Sequence, residues 1–421
     1  MKKVLIIANQ FPPMGGAGVQ RTTKFVKYLP MYGIEPIVVT KEHVDKLTDN
    51  SLLDDINDKI KIYRLAPYDL VNKKGILKLP LKFIGTRIMM PDSECFWYYF
   101  NRKKVFEIIK KEKTEIIYTT SFPYSAHLLG LYIKKKLPKI HWVVDFRDEW
   151  TNNPYHLDNT VRKIKLMLER KMEKNVTNNC DYLITNTPFM LKNFVKDNPT
   201  LKGKSSYIPN GYDEDDFKTI NTQKQQNNKL IITHTGSLYG RRNLTEFLDG
   251  LKIAVDSKKI DKSKIEIRIV GNVHQKVLDD YSRKYNIEGV IKSYGYLPHK
   301  ESIQELYNSD ILLLLIGKGK GSENFYTGKL FEYIFVNRPI LAIVPEKGAA
   351  AQVIKETKTG FVVEPENVHA ISKELINLYE KWLNKKLIIM PNNEKIEKYS
   401  RKTQTKELSK ILKINNDSEE V

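Results

Sequence analysis

The chain holds two cysteines, Cys95 and Cys180, among 421 residues, too few for a disulfide framework or a cysteine-rich zinc site. Its eight histidines are scattered, without an HExxH or HxH pairing, so the pattern offers no catalytic metal. No stretch reaches the ~18 consecutive apolar residues of a membrane-crossing helix. Repeats and low-complexity tracts are lacking, and 41% hydrophobic with 29% charged residues excludes a collagen-like or wholly disordered chain. Acidic residues are in deficit: 70 Lys+Arg stand against 50 Asp+Glu, a formal +20. That excess predicts an anionic partner, whether nucleic acid, acidic lipid or phosphorylated metabolite, and does not choose among them.

At ~150 residues per domain, the length suggests two or three domains. The opening MKKVLIIANQFPP imitates a signal peptide, but VLIIA is short, and Asn9, Gln10 and two prolines replace a small-residue cleavage site. It reads as a first β-strand, and the expected compartment is the cytosol. Strand-like runs then alternate with helix-length amphipathic segments: PIVVT (36–40), EIIYTT (115–120), HWVVDF (141–146) and DYLITN (181–186). Such continuous apolar runs suit strands buried on both faces of a parallel sheet. The pattern restarts after the polar NTQKQQNNK (221–229) with LIITHTGSLYG (230–240), and continues through IEIRIVG, DILLLLIG and PILAIV. This is an α/β chain of two doubly wound, Rossmann-like domains, expected to face each other across a cleft. The first spans 1–208, a hinge 209–228, the second 229–398, and 415–421 form a disordered tail. The segment 73–104 breaks the alternation. It is basic and rich in Leu, Ile, Met and aromatics, and reads either as a helical insertion or as an interfacial membrane-docking element.

Three places carry chemistry. In PPMGGAGVQR (12–21), Gly16 and Gly18 let backbone N–H groups approach an anion at a helix start. The third glycine of a dinucleotide fingerprint is replaced by Arg21, and the second strand ends in Thr40-Lys41 rather than an acid, so NAD binding is not expected. HWVVDFRDEW (141–150) sets Asp145, Arg147, Asp148 and Glu149 at the carboxyl end of a buried strand, where open α/β sheets bind ligands. They are either mutually paired, with Arg147 bridging the carboxylates, or used. In GSENFYTGKLFEYIF (321–335), Thr327, Gly328 and Lys329 enter a helix suited to a diphosphate, and Glu332 is suited to a ribose diol. Gly236, Arg241 and Arg242 open the first turn of the same half.

The ordered series FPPMGGAGVQR, VVDFRDEW, IPNGYDEDDF, GSLYGRRN, YGYLPHKE and YTGKLFEYIFVNRPILAIV resembles family 4 of the retaining glycosyltransferases, of GT-B fold and bacterial surface-polysaccharide type. The closing segment (399–414) resembles that family's last helix, which crosses back to the first domain. The resemblance covers nearly the whole chain. It implies that Gly16 lies beside the donor diphosphate, Arg242 takes the place of a phosphate-binding lysine, and Glu332 is the second acid of a Glu-(seven residues)-Glu motif that holds the ribose. Tyr296 and Leu297 fall where backbone meets the nucleobase. Three positions depart from the family: Asn324 stands where the first acid belongs, with Glu323 beside it; Ser237 replaces an arginine; and Arg147 replaces a histidine.

The implied activity is a metal-independent, retaining transfer of a sugar from a nucleoside diphosphate sugar to a hydroxyl of a glycan. Arg242, Lys329, Arg147 and Asp148 are the catalytic candidates. No cofactor and no nucleic acid are expected. The expected acceptor is a lipid-linked glycan of capsule, exopolysaccharide or O-antigen, with the enzyme peripheral at the inner face of the plasma membrane. A GT-B sugar-nucleotide epimerase, or more remotely a basic nucleic-acid-binding protein, is the alternative.

Overall fold

A computed structural model describes residues 1–15, 17–42, 48–67, 89–153, 163–223 and 228–414. The chain divides into two compact units, Met1–Pro209 with the chain from Arg401 onward, and Asn210–Ser400.

The first unit holds strands β1 (Lys2–Ile7), β2 (Ile34–Lys41), β3 (Lys61–Leu65), β4 (Ile116–Thr120), β5 (His141–Phe146), β6 (Tyr182–Thr185) and β7 (Ser205–Tyr207). They pair in the order β3-β2-β1-β4-β5-β6-β7, all parallel. Parallel strands need crossovers, supplied by helices α1 (Ala17–Tyr28), α2 (Cys95–Glu112), α3 (Ser125–Lys136), α4 (Lys163–Asn179) and α5 (Pro188–Asp197). The central strands β1, β2, β4 and β5 are buried on both faces. Leu5, Ile7, Ile37 and Val39 pack with Trp97, Val105 and Ile133 on one side. Val4, Ile6 and Val38 pack with Phe25 and Val26 on the other. Each such side chain removed from water contributes about 1.5–3 kcal/mol.

The second unit repeats the plan with β8 (Leu230–Thr235), β9 (Ile265–Val270), β10 (Ile291–Gly295), β11 (Ile311–Leu315), β12 (Ile340–Ile343) and β13 (Gly360–Val363). Their order is β10-β9-β8-β11-β12-β13, again all parallel. Helices α6 (Thr245–Asp256), α7 (Gln275–Tyr285), α8 (His299–Tyr307), α9 (Gly328–Val336), α10 (Ala349–Thr357), α11 (Val368–Leu383) and α12 (Asn393–Glu397) accompany it. Residues read as hinge pack on this unit. Phe217 meets the rings of Tyr307 and Phe335, and Gln304 donates to the Asn221 carbonyl.

The last helix, α13 (Arg401–Leu412), belongs to the first unit. Its Leu408, Ile411 and Leu412 join Phe25, Val26 and Leu29 in one apolar cluster. No helix among the described residues is long and apolar enough to cross a membrane. Residues 68–88, which include the first half of the basic aromatic segment with Lys78, Lys82 and Arg87, lie outside the described residues, as do Gly16 and the tail 415–421.

In each sheet the order reverses beside the unit's first strand: β1 lies between β2 and β4, and β8 between β9 and β11. Such a reversal splays the flanking loops apart and opens a ligand-sized crevice at the strands' carboxyl ends. The candidate residues gather at these two points.

Candidate functional site

In the second unit, β8 ends at Thr235 and turns sharply at Gly236 (φ +96°). A Cβ there would lie 2.6 Å from the Lys329 Nζ and would suffer the left-handed backbone as well. The lysine therefore rests directly on the bare glycine turn. The turn is packed from behind by Gly271, where a Cβ would come within 2.5 Å of the Gly236 carbonyl oxygen. The Gly236 N–H donates to the Val270 carbonyl at 2.6 Å. The buried Tyr333 of α9 accepts from the Thr235 N–H at 2.9 Å, tying the strand end to the helix that carries the lysine.

Lys329 Nζ lies 3.3 Å from His234 Nε2. The other nitrogen, Nδ1, is 2.9 Å from the Leu313 carbonyl. A carbonyl only accepts, so Nδ1 carries the proton and Nε2 offers its lone pair to the ammonium. Burial, then the Lys329 charge, holds the imidazole well below its ordinary range, so it stays neutral. Burial, then the neighbouring Arg242, pushes the lysine down to about 7, against the opposing pull of Glu332. A cation this close to losing its proton sits in a site short of negative charge.

Two buried polar atoms at the same place have no hydrogen-bond partner among the described residues: Thr327 Oγ1 and Arg242 Nε. Thr327 is the N-cap of α9, yet its side chain caps nothing. A helix start whose N-cap side chain caps nothing and whose hydroxyl is unsatisfied suits an anion. Arg242 stacks over Tyr239, 5.3 Å from the ring centre, and the 239–242 turn is closed by paired backbone hydrogen bonds. Glu332, one turn into α9, accepts from His299 Nε2 at 2.9 Å. Lys329, Arg242, Thr327, Gly328 and Glu332 thus share one end of one sheet.

The remaining candidates are spread around that centre. Arg241 turns away and donates to the Lys320 carbonyl at 3.2 Å, bracing the loop that follows β11. Glu323 and Asn324 lie in a short 3-10 turn, Ser322–Asn324, preceding α9. Tyr296 is 58% exposed and Leu297 half-buried, just beyond the end of β10.

In the first unit, the charged cluster after β5 is resolved differently from the reading that Arg147 bridges the carboxylates. Arg21 pairs with Asp145 by two hydrogen bonds of 3.1 and 3.0 Å, both groups being fully buried. Tyr118 and Thr120 add hydroxyl donors to the same carboxylate. Burial opposes ionisation, but the Arg21 charge outweighs it and keeps Asp145 below the usual carboxylate range. A third Arg21 bond reaches the Pro209 carbonyl at 2.7 Å. Asp145 is therefore a fastener beneath the glycine turn, and Glu149 is another, accepting from Asn193.

Arg147 instead donates to the Gly18 carbonyl at 2.6 Å, and its buried Nε has no partner among the described residues. A Cβ on Gly18 would fall 2.1 Å from Gln10 Oε1. Asp148, half-buried, is raised by burial and pulled back by Arg147. So Arg147 stands against Gly18, with Asp148 beside it in the chain, and Asp145 does not offer itself to a ligand.

His234 and His299 were missed by the sequence reading. The signal for His234 was a polar ring inside the apolar run LIITHT. For His299 it was an imidazole just ahead of a helix, whose partner Glu332 lies 33 residues on.

Two Rossmann-like units, each with its own switch point, define the GT-B class of nucleotide-handling folds. Within that class, residues 15–216 match the family model described as Glycosyltransferase Family 4, and residues 215–403 match the model described as Glycosyl transferases group 1. Side by side these leave little of the chain unmatched, and the chain belongs to the family 4 GT-B glycosyltransferases. No curated protein matches it by sequence. Among solved structures it is similar to a glycosyltransferase from Rickettsia africae ESF-5, with 16% identity, 98% of each chain covered and a TM-score of 0.65. It is also similar to S. aureus TarM in complex with fondaparinux, α-GlcNAc-glycerol and UDP, with 12% identity, 98% and 100% coverage and a TM-score of 0.61. A putative UDP-N-acetylglucosamine 2-epimerase from Listeria monocytogenes scores 0.53, with 14% identity over 97% and 95% of the two chains. At these identities the likeness concerns the fold, and it is the two family models that separate transferase from epimerase.

Proposed function

We propose that the enzyme is a retaining glycosyltransferase that needs no metal ion. It moves a sugar from a nucleoside diphosphate sugar to a hydroxyl of a lipid-linked glycan, at the cytoplasmic face of the membrane, in cell-surface polysaccharide synthesis. The observation that carries this reading is the convergence of Lys329, Arg242 and the uncapped start of α9 on the glycine turn of β8.

Breaking the anomeric C–O bond leaves an oxocarbenium-like sugar and a diphosphate whose charge grows as it departs. Fixed cations and helix-terminal amides stabilise that charge without reorganising, a single such contact contributing about 3 kcal/mol. Neutral His234 accepts a hydrogen bond from Lys329 and aims its ammonium at the diphosphate. Glu332, held by His299, keeps an oxygen for the ribose hydroxyls. The acceptor hydroxyl attacks the face the leaving group vacates, and the donor phosphate takes its proton. With Asn324 in place of the first motif acid, the sugar is met by an amide or by Glu323.

A thermal-shift panel of UDP-, GDP-, ADP- and TDP-sugars in the presence of a chelator tests this. At 100 times its dissociation constant, the right donor stabilises by about 2.7 kcal/mol. If every nucleotide sugar leaves the transition unmoved while polynucleotide binds tightly at high salt, the +20 charge serves nucleic acid and the proposal fails.

A further inference from the structure

The first unit contains a cavity that the transfer chemistry does not use. It has a volume of about 450 Å³ and lies between the first turns of α2 and α3, with Met90, Phe96, Leu128, Leu129 and Met172 among its walls. Its position is fixed by two polar ties. Glu94, which precedes α2, accepts from Asn9 just after β1 and from Lys41 at the end of β2. Asp92 accepts from the N–H and hydroxyl of Ser125, the first residue of α3, which follows β4. The cavity therefore opens at the carboxyl end of the first sheet, the same end as the glycine turn.

Its lining is almost wholly apolar and includes no acidic residue, but one charged side chain reaches it, Arg102. The guanidinium lies 3.9 Å from the Tyr99 ring centre and 5.4 Å from that of Tyr132, both of which also line the cavity. Among the described residues no carboxylate pairs with it. An arginine held between two aromatic faces keeps its in-plane N–H donors free, which is the geometry for receiving a phosphate edge-on. The flexible methionines and leucines around it suit an unbranched or prenyl chain better than a rigid ring. Lys103 and Lys104, both exposed, follow on the same helix, so the neighbourhood repels cationic ligands.

The geometry points to a binding site for one amphiphile, an apolar chain seated between α2 and α3 with its phosphate on Arg102. The occupant is the lipid-phosphate end of the acceptor, and this assignment rests on the lipid-linked acceptor reading above. An acceptor anchored there presents its head group at the end of the sheet where the glycine turn lies.

Calorimetry with the intact protein and alkyl phosphates of six, eight and ten carbons, each below its micelle concentration, tests it. Each added methylene that enters the cavity should tighten binding about three- to four-fold. Arg102→Gln should weaken the ten-carbon phosphate about ten-fold or more and leave the matching alcohol unaffected. Leu128→Phe, which fills space, should flatten the chain-length series while the phosphate dependence persists. Inorganic phosphate alone should bind far more weakly than the ten-carbon ligand. The proposal is overturned if affinity ignores chain length, if the alcohol binds as well as the phosphate, or if binding appears only with anionic vesicles and never with monomeric ligand. A nucleotide-sugar shift measured on the same samples separates the two readings. If nucleotide sugars bind and alkyl phosphates do not, the cavity assignment fails and the catalytic one stands; the converse result sinks the catalytic one.

Discussion

Lys329 gives the account its sharpest quantitative consequence. With its ammonium pushed down to about 7, it is about nine-tenths charged at pH 6 and one-tenth charged at pH 8. If only the charged form receives the donor diphosphate, the apparent dissociation constant scales as one plus the ratio of neutral to charged lysine. That ratio makes donor binding about ten-fold weaker at pH 8 than at pH 6, or ~1.4 kcal/mol. A nucleoside diphosphate sugar has no group of its own titrating in this range, and His234 stays neutral throughout because burial holds it well below. The slope therefore reports the lysine. Isothermal calorimetry in buffers of different ionisation enthalpy should also record uptake of about half a proton at pH 7. Lys329→Met should bind donor about ten- to hundred-fold more weakly at pH 6, with the slope abolished. A wild-type affinity that does not change between pH 6 and 8, or a slope that survives in Lys329→Met, refutes the reasoning.

The same lysine affects stability with a definite sign. Its folded pKa lies below the unfolded one, so its penalty is full below pH 7 and vanishes as pH rises towards 10.5. Ligand-free Lys329→Met should therefore melt higher than wild type at pH 7, by an amount that shrinks towards pH 10. Glu332→Ala should weaken donor binding by about 1.5–3 kcal/mol while leaving the melting temperature nearly unchanged, as seen by calorimetry and circular dichroism. Gly236→Ala, which sets a methyl 2.6 Å from the Lys329 Nζ, should abolish turnover while the fold persists; full activity would show that the lysine does not need the bare turn. Arg21→Met strands a buried carboxylate and should cost about 3–5 kcal/mol in denaturant unfolding. A near-neutral result would mean that Asp145 is not held by that pair.

Much of the second-unit site was legible because it is local. Thr327, Gly328, Lys329 and Glu332 are contiguous at a strand-to-helix junction, and a glycine after an apolar run marks a backbone that must stay bare. The parallel sheets were legible for the same reason, since strands buried on both faces leave continuous Val, Ile and Leu runs. What escaped depends on pairs far apart in the chain. Asp145 and Arg147 are neighbours in sequence, yet the partner of Asp145 is Arg21, 124 residues away. The pairing of His299 with Glu332 spans 33 residues, and that of Lys329 with His234 spans 95. Hydrophobic periodicity carries no register for such contacts. The cavity under Arg102 is likewise built from α2, α3 and α4, whose junction only the fold creates, although the basic aromatic character of 73–104 announced part of it.

The central claim is sugar transfer with retention at a site that neutralises the leaving diphosphate with its own cations. Its most direct test is proton NMR of the reaction of the stabilising nucleotide sugar with a short-chain lipid-phosphate acceptor, run with chelator present. A new anomeric signal with the donor's configuration should appear, with the free nucleoside diphosphate in step and no change in rate on adding magnesium. An inverted anomer, a strict need for metal, or a donor whose sugar epimerises without any acceptor would contradict it.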